Sequence, residues 1–276
     1  MLSHQSLGLC SWSLHPKNPD DVLAGLAELG LKKVHIALDP MRCDIETWRF
    51  TGPRFWEAGV AMVCGMFGSI GEDYATPQRI RETGGVVPDE HWQQNRENIR
   101  NNIKLANTLD TPMISTHAGF IPEDEKDPQF IKMLDRIDDI AKMIEEITDE
   151  GWLLLETGQE NADTLINFHE QLMQHNVGVN FDPANMILYD MGDPIEALER
   201  AMPYVKQVHI KDALPPKQKG EWGTEVPIGQ GAVDWPAFIK VLKDNAYDGD
   251  LIIEREAGDD RMKDIKTAVE FISNLL

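Results

Sequence analysis

Along the chain, short apolar or β-branched runs alternate with longer stretches whose apolar positions recur at helical spacing. This alternation predicts repeated strand–helix units and a parallel sheet. Strands are expected at 6–11, 33–38, 60–67, 112–117, 152–156, 177–182, 205–211 and 250–255. Between them, amphipathic segments at 19–29, 89–109, 128–150, 162–175 and 194–201 are expected to be helices. Several open on Pro or Asp, where a missing N–H or a capping carboxylate is favourable. Gly30, Gly59, Gly151 and Gly178 stand just before or at strand starts, where a helix ends and the chain turns. Eight strands alternating with helices predict a closed (β/α)8 barrel, and 276 residues suit one such barrel. No linker or low-complexity segment divides residues 1–276, so a single domain is expected. Two connections, 68–88 and 212–233, are long and rich in Gly and Pro. Both follow strands, which in a barrel places them on the active face.

Composition narrows the function classes. Hydrophobic residues make up 42% and charged residues 26% of the chain, as in ordinary globular proteins. No apolar run approaches the roughly 20 residues needed to span a bilayer. The start of the chain lacks the basic-then-apolar pattern of an export signal. Cys10, Cys43 and Cys64 are odd in number and not at ligand spacing, which predicts a reduced, cytoplasmic protein without disulfides. The net charge of −21 disfavours nucleic acid and anionic membranes as partners and favours a cation.

The candidate chemistry lies at the ends of the last four strands. Glu156 closes Trp-Leu-Leu-Leu-Glu, Asp182 closes Gly-Val-Asn-Phe-Asp, His209 closes Val-Lys-Gln-Val-His, and Glu254 closes Leu-Ile-Ile-Glu. Strand alternation puts Gly178, Asn180 and Asp182 on one inward face. Val205, Gln207 and His209 form the next, and Trp152, Leu154 and Glu156 another. Taken singly, an acid at a strand end is usually a cap or turn residue, but four in phase on adjacent strands converge. Three converging carboxylates repel unless a cation sits among them. Three carboxylates and one imidazole suit one divalent ion, Mn2+ or Mg2+ first, with Co2+ and Zn2+ also compatible. Asn180 and Gln207, one layer below, are expected to hydrogen-bond the ligands.

The segments Leu-Glu-Thr-Gly-Gln-Glu (155–160), Asn-Phe-Asp-Pro-Ala-Asn (180–185), Val-His-Ile-Lys-Asp-Ala (208–213), Val-Pro-Ile-Gly-Gln-Gly (226–231) and Ile-Ile-Glu-Arg-Glu (252–256) resemble the xylose isomerase-like barrel superfamily. The closest likeness is to its sugar phosphate isomerase/epimerase branch, which includes ketose 3-epimerases, hydroxypyruvate isomerase and inosose dehydratase. The resemblance implies an isomerase or epimerase of a sugar, keto-sugar or sugar phosphate. It would act by proton transfer through a metal-stabilised enediolate. Glu156 and Glu254 would be ligands and the acid/base pair; Asp182 and His209 would be ligands only, and Mn2+ the commonest metal. Two departures concern substrate contacts. Asn185 stands where ketose 3-epimerases often carry a histidine, and their arginine just past the metal histidine has no match in 211–215.

Around the quartet, His117, Lys211, Trp12, Asn185 and Glu160 are candidate substrate contacts. Four of them also have a plainer role: His117 and Trp12 in packing, Lys211 as a surface lysine, Glu160 as a helix cap. Glu256 shares a face with Glu254 and either orients a ligand or lies in the exit loop. His35 reads as a satisfied core histidine, and Cys10 and Cys64 as small apolar fillers. Competing functions are a lyase, dehydratase or keto-glycoside-cleaving enzyme, in which the same enediolate expels a leaving group. An apurinic endonuclease-like phosphodiesterase and a non-catalytic sugar-binding barrel complete the set. Homo-oligomerisation is left open.

Overall fold

The computed structural model describes residues 2–276. All eight expected strands form: β1 (Leu7–Cys10), β2 (Lys33–Ala37), β3 (Ala61–Met66), β4 (Met113–Thr116), β5 (Trp152–Glu156), β6 (Val177–Phe181), β7 (Val205–Ile210) and, last in the chain, β10 (Asp250–Ile253). They close a parallel barrel in which every strand lies beside its sequence neighbours, with β10 between β7 and β1. The chain is a (β/α)8 barrel.

Helix starts follow the Asp-Pro and Asn-Pro punctuation of the sequence. The side chains of Asn18, Asp127, Asp182 and Asp193 each accept backbone N–H groups at a helix start, with Pro in the first turn. The helix Pro128–Ile147 illustrates what the outer layer contributes. Phe130, Met133, Ile137, Ile140 and Ile144 recur at three- and four-residue steps and are buried against the strands. At about 1.5–3 kcal/mol for each large apolar side chain, this face far outweighs helix propensity alone.

Register brings the functional ends to one mouth. Asn180 pairs with both Glu156 and Gln207, and His209 pairs with Ile252. One inward set departs from simple alternation. The β6–β7 pairing steps from Val205 directly to Gln207, so Lys206 is an extra, bulged residue. Val205 therefore joins the outer core, and Lys206 enters the barrel floor. There its Cγ fills the space a side chain at Gly178 would need, and its Nζ lies 4.3 Å over the Trp152 ring.

Neither long connection is structureless. The first contains the helix Pro77–Thr83. The second folds as an antiparallel ribbon of β8 (Asp212–Leu214) and β9 (Thr224–Val226). The ribbon is held by two buried carboxylates. Asp212 accepts from the backbone N–H of Ala213, Gly229, Gly231 and Val233 and from the Trp235 indole. Glu225 pairs with Arg255 at 2.7 Å and accepts from the N–H groups of Glu256 and Ala257. Among the described residues no helix is long and apolar enough to cross a membrane.

Candidate metal centre

At the mouth, Glu156 ends β5, Asp182 follows β6, His209 lies near the end of β7 and Glu254 follows β10. All four are buried, and each offers a donor atom within 4.8 Å of the others. His209 Nδ1 stands 3.4 Å from Glu156 Oε1, 3.7 Å from Asp182 Oδ2 and 3.5 Å from Glu254 Oε2. Two ligand bonds of about 2.1 Å reach at most about 4.2 Å between donors, so one ion can touch both atoms of each of these pairs without their moving apart or together.

The division of labour within each side chain identifies the inward atoms. Asp182 spends Oδ1 as a helix cap, accepting from Ala184 and Asn185 N–H at 2.8 and 2.9 Å. Its Oδ2 is buried without a hydrogen-bond partner, as are Glu156 Oε2 and His209 Nδ1. Buried polar atoms without partners are costly. Orphaned atoms on three side chains of one cluster are what a cation would satisfy, so the residues fit a bound metal. The helix-cap reading of Asp182 and its ligand reading thus hold for different oxygens of one carboxylate.

Electrostatics divides the carboxyls. Burial opposes ionisation of all three. At Glu156, the His117 and His209 imidazoles outweigh burial and hold the carboxyl below its usual range. At Glu254, Lys211 and His209 hold it well below. At Asp182, burial wins and the pKa is raised. Burial also works against charge on His209, but the acids around it raise its pKa well above the ordinary value.

The other candidates fall unequally. Trp12 lines the mouth and donates from Nε1 to Glu254 Oε1 at 2.6 Å. His117 lines it too, with Nε2 4.0 Å from Glu156 Oε2. Asn185 donates to Glu156 Oε1 at 2.9 Å and accepts from Lys211 Nζ at 3.2 Å. Lys211 is no surface lysine: its side chain is 3% exposed, with Nζ 2.9 Å from Glu254 and 2.7 Å from Glu256. Burial penalises its charge, yet those carboxylates keep it protonated well beyond the usual range. Glu160 is not brought to the mouth. It lies behind the strands beside Leu165, Phe181 and Met186, and the cap of the next helix is Asn161 instead. Gln207, expected to support a ligand, has no protein partner at either end of its amide, whereas Asn180 reaches His209 Nε2 at 3.0 Å.

Glu160 yields a stability prediction. Burial raises its pKa from 4.5 to about 8. The folded state therefore holds a proton that the unfolded chain releases, and stability falls as pH rises through that window, by up to about 1.4 kcal/mol per unit. Glu160→Gln is expected to flatten this decline and be more stable than wild type at pH 8, by thermal melts at pH 5 and 8. An unchanged pH profile would remove the assignment.

Several features of the mouth carried no sequence signal. Its cavity of about 750 Å3 is walled by Pro40, Met66, Tyr74, Leu188, Tyr189 and Trp222. Trp222, on the ribbon, packs edge-on against Tyr189 with ring centroids 4.9 Å apart. Lone aromatics in loops look alike in sequence whether they line a pocket or cover a core. Behind the quartet, His35 is wholly buried, with Nδ1 3.0 Å from His209 Nε2, and burial lowers its pKa to about 3. It is a core histidine, as expected, but its partner is a candidate ligand.

Comparison with known proteins agrees with this architecture. Over the whole chain the structure superposes with TM-score 0.87 and 30% identity on a xylose isomerase domain protein from Planctomyces limnophilus, covering 98% of that chain. It superposes with TM-score 0.71 and 17% identity on D-psicose 3-epimerase with D-tagatose from Clostridium cellulolyticum H10, covering 97% of this chain and 98% of that one. In sequence, 112 residues are 28% identical to inosose dehydratase of Clostridium botulinum, 36% of this chain and 37% of that protein. The chain spans about a third of the length of the first curated relatives it matches. The profile of the xylose isomerase-like TIM barrel family matches residues 74–275. The chain belongs to that family.

Proposed function

We propose that the protein is a divalent-metal-dependent isomerase or epimerase of an uncharged keto-sugar, with Glu156 and Glu254 as the proton-transferring pair. The observation that carries this reading is the pairing of orphaned buried donors on the quartet with two carboxylates from separated strands. β5 and β10 flank β6 and β7, so Glu156 and Glu254 reach the centre from two sides. Moving a proton from one side of a carbon and returning it on the other requires such a pair. Glu156, Asp182, His209 and Glu254 would hold the ion, Mn2+ by preference among Mn2+, Mg2+, Co2+ and Zn2+. When bound, it supplies Lewis-acid polarisation of a substrate carbonyl.

The chain's own groups divide the remaining work. Trp12 and Lys211 fix the two oxygens of Glu254, and Asn185 fixes Glu156. His117, beside Glu156 Oε2, is placed to bind a substrate hydroxyl. The lining bears on substrate charge: among the described residues Lys211 is its only lysine or arginine, and it is already engaged by Glu254 and Glu256. Asp39, Glu72 and Glu225 add negative charge around the cavity. A phosphate would meet no free lysine or arginine there, so an uncharged substrate is favoured over a sugar phosphate.

A dehydratase is the second reading. It is favoured by the similarity to inosose dehydratase. The endonuclease-like alternative is disfavoured. Among the described residues the only other His/Cys/Asp/Glu cluster of three is Cys10, His35 and His209, which shares His209 with the quartet.

The test is to incubate metal-loaded protein with uncharged ketoses in deuterated water and follow products by NMR and mass spectrometry. An isomer carrying solvent deuterium supports the first reading; a product lighter by water supports the second. Glu254→Gln is expected to lower the exchange rate by at least about 100-fold. Exchange unaffected by that substitution would remove the proposed acid/base pair.

A further inference from the structure

We infer that His35, acting through Ser115 and Met66, fixes the tautomer of His209 and thereby makes Nδ1 the nitrogen available to a metal. The inference rests on the proposed metal site, and it assigns a positioning role to a residue behind that site.

The assignment follows from counting protons along a buried chain of contacts. Ser115 Oγ lies 3.0 Å from Met66 Sδ, and a thioether sulfur can only accept. The single hydroxyl proton of Ser115 is therefore directed to sulfur. Ser115 Oγ also lies 2.9 Å from His35 Nε2, so in that contact the oxygen accepts and His35 Nε2 carries the proton. A neutral imidazole has one N–H, which leaves a lone pair on His35 Nδ1. That nitrogen is 3.0 Å from His209 Nε2, so His209 donates from Nε2. When His209 ligates a metal as a neutral imidazole, its lone pair is then on Nδ1, which faces Glu156, Asp182 and Glu254.

As placed, Asn180 Nδ2 sits 3.0 Å from His209 Nε2, donor facing donor, while its Oδ1 has no partner. Turning the amide by half a turn resolves both, bringing the orphaned oxygen onto the same N–H as a second acceptor, and amide orientation is assigned from such networks. The two imidazole nitrogens are 3.0 Å apart, an ordinary hydrogen-bond distance. In this relay Cys10, His35 and His209 form a hydrogen-bonded support behind the quartet. With His35 and His209 both wholly buried, solvent cannot replace His35 as acceptor, and only the Asn180 amide and Cys10 Sγ, at 3.6 Å, remain beside that N–H.

The test compares His35→Leu, which removes the acceptor, with His35→Asn, whose Oδ1 can stand near the position of Nδ1. Mn2+ affinity is measured by titration on each folded variant and on wild type, with circular dichroism and melting temperature recorded alongside. His35→Leu is expected to bind Mn2+ about 10–100-fold more weakly. His35→Asn is expected to recover most of that loss. Equal weakening in both variants, or none in either, would overturn the inference. Nitrogen-15 NMR of the wild-type histidines gives a readout independent of metal: His35 should be protonated at Nε2 and unprotonated at Nδ1, and the opposite tautomer would refute the relay. Wild type that binds no metal while showing the expected tautomer would refute the proposed metal function and leave the relay standing.

Discussion

Protein purified without chelator should carry about one divalent ion per chain, and a Glu156→Gln, Asp182→Asn double variant should carry none. The same pair should cross over in stability. With metal at about 1,000 times its dissociation constant, binding adds about 4 kcal/mol to wild type, worth roughly 8–16 °C in melting temperature. Without metal, the wild-type site gathers three buried carboxyls around one imidazole, and the double variant removes two of those acids. Like charges in a buried site are destabilising, so the metal-free variant should melt no lower than metal-free wild type. Elemental analysis and melts with and without added Mn2+ would decide. A variant destabilised equally with and without Mn2+ would mean that these residues serve the fold alone.

The second large effect should come from Asp212, outside the quartet. Its carboxylate accepts on both edges: Oδ1 from Ala213 and Val233, Oδ2 from Gly229, Gly231 and Trp235. Asp212→Ala leaves these donors without their acceptor and should cost about 3–5 kcal/mol, with hydrogen exchange accelerated across 213–233. Asp212→Asn should be nearly as damaging, because an amide has an oxygen on one edge and an N–H2 facing donors on the other. A small loss in both variants, with exchange unchanged, would mean that the ribbon is held chiefly by its other contacts.

What the sequence made legible follows from which rules are local. Strand alternation and strand-end position brought out Glu156, Asp182, His209 and Glu254, because period-two geometry holds wherever pairing is regular. It failed at Val205, where a bulge at Lys206 shifts the phase, and nothing in Val-Lys-Gln-Val-His marks a bulge. The ribbon was hidden because its strands are three residues long and lie in a stretch of Pro, Lys and Gly without alternation. Lys211 was placed on the right face, but its burial depends on Glu256 and Asn185, which are remote in sequence. The role of His35 was out of reach for the same reason. It depends on Ser115 and His209, 80 and 174 residues away.

The strapped ribbon has a kinetic consequence. Asp212 fixes its base and Glu225 ties its far strand to the segment after β10, so Trp222 is carried by a framework pinned at both ends. On the proposed function, a doorway built this way stands ready before substrate arrives, and chemistry need not wait for the ribbon to swing shut. Turnover should then vary little with solvent viscosity unless encounter itself is limiting, unlike enzymes whose pace is set by a closing lid.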